Sequence, residues 1–136
     1  MKKLNKNNKG FFILEALIAI LIFMVGILGI MQLQVIQMQA TADAQYRTQA
    51  SYMAENIMSQ IVIDKGNVDT FVDGSNPNYS NWLGDLQTIL PGVENNPPTI
   101  TSNPAASGGI LITIVIKWKA PQSEQISNYT LKSVII

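Results

Sequence analysis

The chain has 136 residues, with nine basic and nine acidic side chains, no cysteine and no histidine. That composition excludes a thiol nucleophile, a serine–histidine–aspartate relay, a zinc site of the usual nitrogen and sulfur ligands, and any disulfide framework. The zero net charge averages two unlike parts: Lys2, Lys3, Lys6 and Lys9 precede Phe11, whereas beyond residue 10 five basic residues stand against nine acidic ones. Those five (Arg47, Lys65, Lys117, Lys119 and Lys132) are scattered and form no basic cluster, so direct nucleic-acid binding is not expected.

Residues 1–10 read as a short basic leader without apolar periodicity. From Phe11 to Met31, Glu15 is the only polar side chain in 21 residues. At about 1.5 Å per residue such a helix is roughly 32 Å long, the thickness of a bilayer's hydrocarbon core. The lysines ahead of it, and the lack of charge after it until Asp43, predict a cytoplasmic N-terminus and an exported C-terminal part. Ala40-Thr41-Ala42 has the small-x-small form of a secretory cleavage site. However, a secretory signal has an apolar core of about 7 to 15 residues and a total of about 15 to 30, shorter than what precedes that site.

The helix is expected to continue. No proline occurs between Phe11 and Asp64, and good helix formers dominate Gln32 to Gln60. Ile36, Ala40, Tyr46, Ala50, Met53, Ala54, Ile57, Met58 and Ile61 recur mostly three or four apart and predict an apolar stripe to about residue 64, with Lys65-Gly66 as its stop. Asn67 to Tyr79 reads as a polar, turn-rich loop. Asp64, Asp69, Asp73 and Asn76 within it lack the spacing of an alternating-ligand calcium loop, so no metal site is assigned. Ser80 is the expected cap of a short helix, about 81–90, that presents Trp82, Leu86, Ile89 and Leu90 and ends at Pro91-Gly92.

After a second flexible region with a short strand at Thr99–Thr101, the alternation of Ile110, Ile112, Ile114, Ile116 and Trp118 predicts a strand over 110–118. A partner strand over 128–136 would line Tyr129, Leu131 and Ile135 on one face. The pair needs a cover, because two strands alone are marginal in water. The outer half of the long helix, Ile36 to Ile61, is the expected cover. The fold class predicted is α+β, with one long N-terminal helix packed on a small C-terminal antiparallel sheet.

A leader ending in Gly10, then Phe11, then Glu15 in an apolar helix with an amphipathic continuation, resembles the type IV pilins and the related secretion pseudopilins. Trp82, Leu86 and Leu90-Pro91-Gly92, followed by the Ile-rich strand ending in Lys117-Trp118 and by Tyr129-Thr-Leu, look like the minor pilins of the PilV type. The chain lacks the cysteines of many relatives, and it has Gln32 to Gln34 where many major pilins carry a proline. The resemblance implies cleavage by a prepilin peptidase between Gly10 and Phe11, methylation of the new amino terminus, and an assembly role for Glu15. It further implies an inner-membrane span over 11–31, a periplasmic domain over 32–136, and a non-enzymatic subunit without cofactors. The implied partners are other minor pilins, the major pilin and the assembly platform in the inner membrane.

Glu15 also has a reading in its own right. Near the cytoplasmic end of a span a carboxylate reaches the headgroups and costs little, less than the about 2.5–3.5 kcal/mol of a mid-bilayer charge. In an apolar filament it would instead meet an amino terminus, its own being about 6 Å along the axis after cleavage. A minor pseudopilin of type II secretion carries the same signals. A single-pass membrane-anchored periplasmic binding domain would share only the span.

Overall fold

The computed structural model describes residues 8–106, 108–121 and 123–136; most of the predicted leader lies outside the described residues. Its first element is helix α1, Asn8–Ile63, of 56 residues. The chain divides into two compact units, Met1–Thr41 and Ala42–Ile136, and α1 contributes to both.

In the second unit, α1 is followed by a 3-10 turn at Lys65–Asn67 and by α2, Val68–Val72. Helix α3 spans Pro77–Ile89, and a second 3-10 turn occupies Val93–Asn95. Three strands close the chain: β1, Thr99–Pro104; β2, Ile110–Trp118; and β3, Ser127–Ile135. They form one antiparallel sheet in the order β1-β2-β3, with Ile114 opposite Ile100 on one side and Leu131 on the other. The α+β layout is therefore a long helix packed on a small antiparallel sheet.

Alternation dictates which way the sheet faces. Ile112, Ile114, Ile116 and Trp118 point to one side and are fully buried, together with Ala50, Ala54, Ile57 and Ile61 of α1. Successive α1 residues of that set are three or four apart, which places them on one side of the helix. The cover begins later than the apolar stripe suggested. Ile36 is 61% exposed and Ala40 is also exposed, whereas Tyr46 is the first α1 side chain to pack against the core. Packing, rather than periodicity, sets where the stripe becomes an interior.

Four sequence expectations need correction. The stretch after Asn67 is not all loop: α2 inserts Val68 and Phe71 into the core. Helix α3 starts earlier than expected, because Asn76, not Ser80, is its cap. The Asn76 side chain accepts from the Asn78 N–H at 2.9 Å, and Pro77 occupies the first turn, where its missing N–H costs nothing. In α3, Trp82 and Leu86 are buried as expected, but Ile89 stays at the surface and Leu90 is buried just past the helix end. The third strand, β1, runs to Pro104 rather than stopping at Thr101.

Polar bonds position the elements around this core. The Trp82 indole N–H donates to the Met53 carbonyl at 2.8 Å, joining α3 to α1, and the Tyr79 ring stacks obliquely on Trp82 with centroids 5.6 Å apart. The Lys119 N–H donates to the Pro91 carbonyl at 2.9 Å, tying the end of α3 to the end of β2. Ser51 donates to the Tyr129 hydroxyl at 3.0 Å, linking α1 to β3. Trp118 is an exception: its fully buried indole N–H has no partner among the described residues.

Candidate functional site

In the structure Gly10, Phe11 and Glu15 all lie within α1, which already begins at Asn8. From Phe11 to Met31 the segment is mostly Ile, Leu, Phe, Ala and Met with no proline, and it is helical although its side chains are exposed. Phe11 and Glu15 are four residues apart and therefore neighbours on one side of the helix. An added Cβ at Gly10 would meet nothing within 4 Å, so no internal packing demands glycine there. Glu15 is exposed, and no ion pair to it occurs among the described residues.

The helical surface around these residues is uniformly apolar and uncovered. Phe11 is 72% exposed, and every large apolar side chain from Phe12 to Met31 is exposed as well. A contiguous apolar surface of this extent needs a nonaqueous environment, either lipid or the apolar flank of another protein. The helix is long and apolar enough to cross a membrane, and it is the candidate membrane span of the described residues.

The C-terminal unit offers a different feature, an open groove of about 450 Å³ between α1 and α3. Asn56, Gln60 and Asp64 line one wall and Asn78, Asn81 and Asp85 the other. Gln60 donates to Asn56 at 2.8 Å, so part of the polar wall is already satisfied internally. Carboxamides and carboxylates without a cation make a surface for hydrogen bonding, and they supply no nucleophile with an activating base.

Of the four residues weighed for calcium, Asp64, Asp73 and Asn76 make side-chain hydrogen bonds within their own turns. Asp64 accepts from the Asn67 side chain at 2.7 Å, and Asp73 accepts from the Ser75 N–H at 2.8 Å. The Ser75 bonds hold the Asp73 carboxyl below its ordinary pKa. Asn76 caps α3 and also donates to the Thr70 hydroxyl at 2.9 Å. The carboxylates and amide are used to fold turns. Comparison of the chain with family models, curated proteins and solved structures gives no match.

Proposed function

We propose that this chain is a minor pilin of the PilV type, a structural subunit that takes part in initiating or assembling a type IV pilus. The observation that carries the reading is the placement of Gly10, Phe11 and Glu15 at the head of an exposed apolar helix that continues into a packed α+β domain. On this reading a prepilin peptidase cuts between Gly10 and Phe11 on the cytoplasmic side of the inner membrane, and the domain lies in the periplasm. Lipid then covers the apolar half of α1 before assembly, and neighbouring pilin helices cover it afterwards. Exchanging lipid for protein contact changes apolar burial little, so helix packing and pairing of Glu15 with an amino terminus would select the assembled state.

The test is to purify the chain from membranes of its own cells and determine its N-terminus and mass. A start at N-methylated Phe11 supports the reading. A start at Met1 would make the chain a plain membrane anchor carrying a binding domain, with the α1/α3 groove as that domain's candidate site. Given a processed N-terminus, gene deletion separates the two machines: lost piliation supports the pilus, and lost exoprotein secretion assigns the chain to type II secretion.

A further inference from the structure

Two rows of polar side chains line the groove between α1 and α3. On α1 they are Tyr52, Asn56 and Gln60, with Asp64 just past its end; on α3 they are Asn78, Asn81 and Asp85. A spacing of three or four keeps each row on one side of its helix. A second cavity of about 380 Å³ joins the one described above, because Asn56 and Asp85 line both, and it brings in Tyr52, Met53 and Ile89. Each part falls within the roughly 300–1,000 Å³ of small-molecule sites, and together they follow α1 for about 18 Å from Tyr52 to Asp64. The floor is preformed, since Trp82 lines one part and Met53 the other, both are buried, and the Trp82 indole N–H is bonded to the Met53 carbonyl.

The lining selects among ligand classes. An anion is opposed by Asp64 and Asp85, and no lysine or arginine lines either part. A metal ion lacks a ligand set, because no group of three suitable side chains occurs among the described residues. An amine would engage the two carboxylates but offers no acceptor to the amide N–H groups of Asn56, Asn78 and Asn81. A peptide anchors its alternate side chains in apolar pockets, and the carboxamide part has none: its apolar lining is the buried Trp82 and, at the rim, the exposed Ile63. A neutral polyol suits every group, since each hydroxyl both donates to carboxylate or amide oxygens and accepts from amide N–H. At the other end the Tyr52 ring is 65% exposed and gives the C–H face of a sugar ring an apolar surface.

We infer that the α1/α3 groove is a binding site for a neutral oligosaccharide. One sugar ring lies against Tyr52, and the following rings bond to the carboxamides and to Asp85, the carboxylate common to both parts of the groove. The internal bond from Gln60 to Asn56 leaves the Asn56 amide nitrogen and the Gln60 carbonyl oxygen for the ligand. The groove lies wholly within the C-terminal unit. The inference therefore goes beyond the pilin reading and holds whether the N-terminus starts at Met1 or at Phe11.

The experiment titrates the full chain, in micelles of a detergent without a sugar headgroup, with maltotriose, cellotriose and chitotriose, and with spermidine and trialanine as the competing classes. The side-chain amide signals of Asn56, Gln60, Asn78 and Asn81 are followed by nuclear magnetic resonance. At least one trisaccharide is expected to shift them saturably with a Kd of about 1 mM or tighter. Tyr52→Ala and Asn81→Ala, both at exposed positions, are each expected to weaken that binding about two- to tenfold, whereas Gln87→Ala, on α3 outside the groove, leaves it unchanged. Several results would each overturn the inference: no saturable shift with any trisaccharide up to about 10 mM, shifts confined to signals outside the groove, or binding that neither Tyr52→Ala nor Asn81→Ala weakens. Tighter binding of spermidine or trialanine at the same amides would likewise overturn it and reassign the groove to a cation or a peptide.

Discussion

Gly108 and Gly109 form a natural pair for separating backbone strain from steric collision. Both connect β1 to β2 and both have left-handed backbones, with φ of 85° and 88°. An alanine at either pays a strain of roughly 1–2 kcal/mol, because L-residues with a Cβ crowd the following carbonyl in that region. Their surroundings differ. A Cβ at Gly108 meets nothing within 4 Å, whereas one at Gly109 collides with the Ile135 carbonyl oxygen and lies 3.1 Å from the carbonyl carbon. The obstacle is backbone of β3, which cannot rotate away, so overpacking adds about 1–3 kcal/mol. Gly109→Ala is therefore expected to cost roughly 2–5 kcal/mol and Gly108→Ala roughly 1–2 kcal/mol. A domain the size of Ala42–Ile136 has a total stability of only about 5–14 kcal/mol, so the difference is large enough to measure. Proteolysis in increasing urea, on the full chain in micelles, gives both values. Equal costs at the two positions would refute the steric argument and with it the close approach of the β1–β2 connection to the end of β3.

Glu15→Ala is expected to leave membrane insertion and N-terminal processing intact but to reduce the amount of subunit recovered in sheared filaments. Unchanged recovery would remove the assembly role given to that carboxylate. Gly84→Ala, on the exposed side of α3 with nothing within 4 Å of the added methyl, should raise stability by about 0.5–1 kcal/mol in the same urea assay. Trp118→Phe removes an indole N–H that has no partner among the described residues, whereas Trp82→Phe removes one bonded to Met53, so the second should be the more costly by about 1 kcal/mol. Burial raises the Tyr79 pKa above its ordinary value of 10.0, which favours the neutral phenol in the folded state. Its contribution is complete below pH 10 and declines as pH rises through the folded pKa; Tyr79→Phe should flatten that decline in urea midpoints measured from pH 9 to 11.

The long helix and the central strand were legible because each depends on a long repeating signal. An uninterrupted absence of proline extends α1, and strict alternation of isoleucine identifies β2. The short elements gave weaker signals. In α2 only Val68 and Phe71 face the core, a spacing that fits one helical turn and is easily lost among Asn, Asp and Gly. Asn76-Pro77 is a sound cap and first-turn pair, but inside Asp73 to Asn78 it reads equally as a turn. The boundary of the α1 cover was not legible at all, since Ile36 and Ile57 look alike in sequence, and what differs is whether a sheet lies beneath. The candidate site is the reverse case. Gly10, Phe11 and Glu15 were found by pattern, and the fold adds that they sit on an exposed helix with no internal partner among the described residues.

The two tryptophans have a practical consequence. Trp82 is 2% exposed and Trp118 not at all, and the sequence contains no others. Both emitters thus sit inside the C-terminal unit, so the chain's intrinsic fluorescence is a private signal of that unit. Loss of its fold should shift emission to longer wavelength as water reaches the indoles, while transfer of the apolar half of α1 between detergent, lipid and protein should leave the spectrum unchanged. A single unlabelled sample can therefore report whether the domain is folded independently of where its anchor resides.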